Sequence, residues 1–425
     1  MIGQPLSELK RDNVLLWSID VGRMHSRNNI IVREDVAFLS SSGALWNVDD
    51  PKDGVYCIDL NSGRIIWFTE TYSDANEISI VDNVLLVGTD SGKVFAIDVG
   101  SGLIFSKFQA EEPVYTRAIE LERPSGKIGI LVSHAGEVIQ YDTRAKRFSV
   151  LGRLPYGVRA NPTRVASASF LVASQAGVIT LAELIDDQIN SRTMFEVKPH
   201  KASGQFDFML EVRGISSIVV KADRAVVSYA RNTYDRRPPI VCFSLKTGEK
   251  LWDAGRVQTA SRSEVPEFGN SRIVPAVWNN LLLSTFSYND AVHAFSLDNG
   301  KWMWRQRLDD SYFQNWSSPI VQDELLYVAR INGVLSVLDL KTRKLLSSYS
   351  VEVFESSESP TSVDEPESWP KNPSEFKAGP YPSQKIVAGI CSTPAIWKRM
   401  ILIGTASGKL CCLRPQSSGG EKVPD

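Results

Sequence analysis

The chain has 425 residues, too many for one ordinary compact domain unless the fold is built by repetition. Apolar residues make up 43% and charged residues 23%, a core-forming composition that excludes a disordered or collagen-like chain. Lys and Arg total 47 against 49 Asp and Glu, net charge −2, so the basic excess that duplex nucleic acid demands is absent and no such partner is expected.

The N-terminal stretch shows no basic region leading into an unbroken apolar run, no small-residue cleavage site and no lipobox cysteine. Nowhere do 18 apolar residues follow one another, so membrane insertion is not expected. Five cysteines (Cys57, Cys242, Cys391, Cys411, Cys412) form an odd set without a CxxC pair, which disfavours a disulfide framework or a zinc cluster. Together these features predict a reduced, cytoplasmic location.

From Gly54 onward one pattern returns. GVYCIDLNSGRIIWF at 54–68 recurs from Gly92, Gly136, Gly177, Ile240, Ala291 and Gly333, and a truncated copy starts at Gly408, eight copies in all. Most copies follow a short β-rich run, and that run follows another short strand, often with a proline near its start (Pro162, Pro275, Pro319, Pro394). Apolar residues alternate with a period of two, as half-buried antiparallel strands require. The unit is about 40 residues, the length of a four-stranded propeller blade. The spacing predicts an all-β, eight-bladed β-propeller occupying 1–415 as a single domain, with a disordered tail at 416–425.

Two columns of the repeat carry more. Four residues after the turn glycine stands a tryptophan (Trp67, Trp252, Trp304), replaced by Ser106 and Ser347 in two copies. Trp17 fits the same column, and the last copy lacks a fourth strand, so the N-terminal strand is expected to complete the last blade and close the ring. The residues Ala96-Ile-Asp98, Lys246-Thr-Gly-Glu-Lys-Leu-Trp252 and Asp298-Asn-Gly-Lys-Trp-Met-Trp304 make the chain resemble the quinoprotein (PQQ) dehydrogenase-like propeller repeat family. A WD-repeat assignment fits less well, because the single Trp-Asp dipeptide, Trp252-Asp253, falls after the turn.

Three segments depart from the repeat: 190–214, 231–239 and 351–385. The last holds six prolines and seven acidic residues, too polar to build a core of its own, and is expected to be a mobile loop or a partner-binding insertion between blades seven and eight.

The resemblance implies two kinds of activity. Its redox members carry a quinone and calcium, with adjacent cysteines against the cofactor; Cys411-Cys412 invites that comparison. The repeat instead aligns Cys412 with Cys57, Ala96, Cys242, Ala294 and Val337, a small buried column inside a strand. Asp59, Asp98, Asp142 and Asp339 share one column before a turn and are expected to bond their own turns rather than a metal. His25, His134, His200 and His293 show no ligand spacing, and His293, mid-strand, reads as a satisfied sheet histidine. The family's non-catalytic scaffold members are the better match, so no catalytic residue, metal or cofactor is expected, and one or more proteins are the expected partners.

Two residue sets are candidate binding sites. Arg117, Arg159 and Arg272, with Asn315 and Trp316, fall near the starts of innermost strands, where they would surround one mouth of the central channel and suit an anionic ligand or acidic peptide. Arg231, Tyr234, Arg236 and Arg237 form a basic loop in blade five of interface-like composition. A scaffold or adaptor is the first functional reading; a propeller sensing a small anion or glycan at its channel mouth, and a PQQ-dependent oxidoreductase, are the alternatives.

Overall fold

The computed structural model describes residues 14–44, 48–124, 126–198, 212, 214–230, 238–257, 273–286, 291–308, 317–331, 333–350 and 389–415. All regular structure among them is β, in eight antiparallel sheets arranged as the blades of one ring. Blade one spans 30–70, two 79–109, three 119–153, four 163–196, five 214–253, six 276–307 and seven 320–350. Blade eight takes its three inner strands from 395–414 and its outermost strand, Val14–Asp20, from the other end of the chain.

That closure is a register, not mere proximity. Val14 pairs with Arg414, Trp17 with Cys412, Ser18 with Cys411 and Asp20 with Lys409, antiparallel throughout. Pairing the two chain ends removes the open sheet edge that a linear array would leave. Blade five differs in one respect: its innermost strand is broken into Gly214–Ile215 and Val219–Lys221, both paired with Arg224–Ala230. The departure predicted from Asn190 begins later, because the outermost strand of blade four runs from Gln188 to Glu196. Residues 199–211, 231–237, 351–388 and 416–425 lie outside the described residues, and with them most of the predicted insertions and the tail.

Among the described residues the core consists of eight apolar clusters, each shared by two consecutive blades. Strand alternation produces this directly. In blade one, Tyr56 and Ile58 face blade eight, while Val55 and Cys57 face blade two. The small column behaves as the repeat predicts: Cys57, Ala96, Cys242, Ala294, Val337 and Cys412 are all buried against a neighbouring blade.

Each outermost strand carries a bulge at nearly the same place. Cys57 pairs with Trp67 but Ile58 with Ile65, leaving Ile66 extra; Phe105, Leu251, Met303 and Leu346 are its equivalents. These residues are exposed on the rim, and the irregularity blunts what would otherwise be a regular unpaired edge. The bulge also turns the next side chain inward. Trp17, Trp67 and Trp252 each lie over the turn of the following blade, donating from Nε1 to the carbonyls of Leu60, Val99 and Leu297 at 3.1, 3.2 and 3.1 Å. The glycine in that turn is required twice over. Gly63 and Gly102 have φ of +68° and +73°, and a Cβ on either would stand 2.7 Å from the tryptophan ring.

The meander fixes the two faces of the ring. Turns within each hairpin, first to second strand and third to fourth, are short and share one face. Connections from second to third strand, and from one blade to the next, emerge on the other. The described strand ends flanking 199–211, 231–237, 258–272, 309–316 and 351–388 all lie on this second face.

Candidate functional site at the channel mouth

Each innermost strand is entered from the second face by a short lead-in segment, and innermost strands of neighbouring blades touch around the axis. Two residues before the strand, the lead-ins form a belt of hydrogen bonds. Arg117 N donates to Asn161 Oδ1 at 2.9 Å, Asn161 N to Ser217 Oγ at 2.9 Å, Val274 N to Ser318 Oγ at 3.0 Å and Ser318 N to Thr393 Oγ1 at 3.3 Å. Each links one blade to the next and satisfies a backbone N–H that no strand partner reaches.

Some contacts skip a blade, which is possible only close to the axis. Asn161 Nδ2 of blade four donates to Glu77 Oε1 of blade two at 2.8 Å. Arg117 of blade three also reaches Glu77, at 3.9 Å. Burial pushes the Glu77 carboxyl above its usual range, while Arg117 and the Asn161 hydrogen bond pull it down.

Two residues earlier in the lead-ins stands a second layer. The Tyr115 ring takes the Arg27 guanidinium at 4.7 Å and the Arg159 guanidinium at 4.9 Å from its centroid. Arg27 is held in turn by a two-point ion pair with Asp90, at 3.1 and 2.9 Å, and Asn76 donates to the same carboxylate. Arg159 is exposed and forms no ion pair among the described residues. Of the predicted mouth residues, Arg117 and Arg159 therefore lie together at the mouth. Arg272, Asn315 and Trp316, and the blade-five set Arg231, Tyr234, Arg236 and Arg237, fall outside the described residues. Sequence reasoning missed Arg27, Glu77 and Tyr115. Counting back from the start of each innermost strand, instead of forward from the glycine turn, would have put Tyr115 and Arg159 in one column, four residues before the strand, with Arg27 three before its own.

Beside the mouth, between blades one and two, a cleft of about 330 Å³ is lined by Asp49, Ser73, Asp74, Asp90, Ser91 and Tyr115. Near it Asp53 is fully buried, and its Oδ2 accepts from Asp50 N at 2.9 Å. Burial pushes Asp53 up to about 7, and the charges of Asp50 and Asp49 add to the rise. No group of three or more His, Cys, Asp or Glu side chains among the described residues is placed to hold a metal ion.

The quinone and calcium implied by the redox members do not fit these residues. Cys411 and Cys412 are buried thiols inside the strand Lys409–Arg414. Cys412 packs between blades eight and one, while alternation sends Cys411 to the opposite side, beside Ser18 Oγ at 3.5 Å. The aspartate column is spent on its own turns: Asp59 accepts from Asn61 N, Asp98 from Ser101 N, Asp142 from Ala145 N and Asp339 from Thr342 N, at 2.7–2.8 Å. Bonds from the Ser101 side chain and from Thr342 N accordingly hold Asp98 and Asp339 below the usual carboxylate range. His293 departs from expectation. It is fully buried with neither ring nitrogen hydrogen-bonded, and desolvation, with Arg305 adding, pushes it down to about 3.

A family profile described as outer membrane protein assembly factor BamB matches residues 236–420. The chain is an eight-bladed β-propeller whose second half matches this profile. Among proteins similar to the chain is the outer membrane protein assembly factor BamB of Moranella endobia (strain PCIT), 20% identical over 265 residues. That alignment covers 60% of the chain and 62% of the relative's own length. The crystal structure of BamB from Moraxella catarrhalis superposes with a TM-score of 0.63 at 14% identity, covering 95% of the chain and 99% of that protein. The computationally designed Ika8 protein gives 0.62 at 11% identity, over 93% and 98%.

These matches correct the predicted cytoplasmic location, since the similar proteins are named for the assembly of outer membrane proteins. The cysteine argument for that location fails on physical grounds. All five thiols are buried, and desolvation pushes Cys57, Cys242 and Cys412 up to about 12, so these three make little thiolate in any compartment. No helix among the described residues is long and apolar enough to cross a membrane.

Proposed function

We propose that the chain is a non-catalytic scaffold that holds protein partners during the assembly of outer membrane proteins, with 1–415 folding as one propeller. One observation carries this reading: the channel mouth and the described strand ends flanking 199–211, 231–237, 258–272, 309–316 and 351–388 occupy the same face of a rigid ring, while among the described residues the opposite face carries tight hairpin turns and the strand ends Val14 and Arg414. The non-catalytic part rests on the residues that a redox relative would use. Here they are buried in a strand or spent on turns.

A photo-crosslinking residue placed at Tyr156, on the connection from blade three to blade four, tests the reading against one at Asp186, in a tight turn of blade four. In extracts of the cell envelope the first is expected to give a discrete protein adduct that weakens when 351–385 is replaced by a short Gly-Ser link, and the second none. Equal labelling from both positions, or none from Tyr156, overturns it.

A further inference from the structure

We infer that the exposed face of the Arg159–Tyr115 stack is a docking point for a carboxylate side chain of a partner polypeptide; this rests on the scaffold reading and names the chemistry of its contact. The stack is built rather than incidental. Tyr115 is gripped on its ring by Arg27 and Arg159, which come from the lead-ins of blades one and four. Arg27 cannot move to a new ligand without giving up its two-point bond to Asp90, and Asp90 is held in addition by Asn76. Arg27 therefore anchors the ring, and the ring orients Arg159.

Arg159 then differs from the other two mouth arginines. Arg27 has Asp90, and Arg117 has Glu77, while Arg159 is exposed with no carboxylate partner among the described residues. A guanidinium held over an aromatic ring by cation–π attraction still has N–H donors to offer, and its planar fork matches a carboxylate with two parallel hydrogen bonds. Stacking also fixes the side chain before binding, so little rotamer entropy is lost when the carboxylate arrives. Arg117 leaves the same lead-in two residues after Tyr115 and is half exposed, giving the incoming group a second positive neighbour. The Arg and Tyr composition is that of interaction hot spots. Charge complementarity selects an acidic segment over a basic one, and the position on the connection-bearing face selects a polypeptide over a free ion.

The full chain is titrated by fluorescence anisotropy with a labelled Glu/Ser/Gly peptide, its Gln counterpart, and inorganic phosphate as competitor at constant ionic strength. The Glu peptide is expected to bind, the Gln peptide to bind at least 10-fold more weakly, and 0.5 M salt to weaken the complex. Arg159→Gln and Tyr115→Leu are expected to cost about 10-fold each, and Arg159→Lys, which keeps charge but loses the fork, several-fold. Arg144→Gln, an equal charge change in a tight turn on the opposite face, is expected to leave binding unchanged. Equal binding of the Gln peptide, no effect of Arg159→Gln, or displacement by phosphate at the peptide's own concentration overturns the inference, the last assigning the site to a free anion. If the peptide result fails while Tyr156 still gives its protein adduct, the docking point falls and the scaffold stands; if both fail, both fall.

Discussion

At the scale of single residues, two buried titratable groups give the molecule opposite responses to pH. Asp53, lifted to about 7 by burial, stabilises fully only below the unfolded carboxyl value near 3.8, and its contribution is lost as pH rises toward 7. His293, lowered from 6.5 to about 3, contributes fully above 6.5 and is lost as pH falls toward 3. Between about 4 and 6.5 the two slopes oppose each other, so the intact protein should show a flatter profile than either group alone would give. Single variants unmask them. Relative to the parent, Asp53→Asn should gain more melting temperature at pH 8 than at pH 5, and His293→Leu more at pH 4.5 than at pH 8. Thermal melts at these three values decide it; offsets independent of pH would mean that neither group titrates as its surroundings require. Neither feature was legible beforehand. Asp53 stands in an ordinary acidic turn in the sequence, and only its complete burial in the fold lifts its carboxyl so far. His293 was expected to be satisfied, and the sequence held no sign that Phe286 and Phe295 would surround it instead of hydrogen-bonding groups.

At the scale of the element, the blade repeat works because one bulge, one aromatic and one left-handed turn residue serve each other. The bulge before Trp67 turns its ring toward Gly102, and Gly102 lacks the Cβ that would meet that ring. Where the glycine is absent, the backbone keeps its form: Lys146 and Arg343 hold φ of 52° and 58°, with Lys146 over the Phe105 ring and Arg343 over the Trp304 ring. Gly102→Ala should therefore cost about 2–4 kcal/mol, from left-handed backbone strain plus overpacking. Gly100→Ala, in the same turn, should cost under about 0.5 kcal/mol, because its nearest contact is 3.4 Å away and its φ is not left-handed. Denaturant melts of the pair separate the two outcomes, and equal losses would refute the docking account. This part of the fold was open to reading from the chain itself, since a tryptophan at fixed spacing after a glycine is a local pattern. The channel mouth was less so. Its contacts join lead-ins of different blades, as in Asn161 to Glu77, and no spacing within a single repeat encodes a bond that skips a blade.

At the scale of the whole molecule, closure turns a chain of eight similar units into one ring and sets the connection-bearing face apart from the face of tight turns. It also explains the length that looked too great for a single compact unit: eight small cores, each between two blades, replace one large one. The cytoplasmic expectation failed at this scale, because compartment is not encoded in the packing of buried thiols. Everything functional in the account depends on the closed ring, since the mouth exists only if blades one to four curve around a common axis. The most direct test is Ser18→Cys. Ser18 faces Cys411 across the closing pair, Oγ to Sγ 3.5 Å, and directly opposed antiparallel residues fall within disulfide reach. Cys411 is buried like the other four cysteines, but it alone is paired with position 18, so only this pair should bond when the chain refolds under mild oxidation. On mild oxidation the account predicts a monomer with one bond between positions 18 and 411, found by peptide mapping, and a raised unfolding midpoint, as expected for bridging residues 393 apart. Thiols that stay reduced, or a bond that forms only between molecules, would contradict the closed ring.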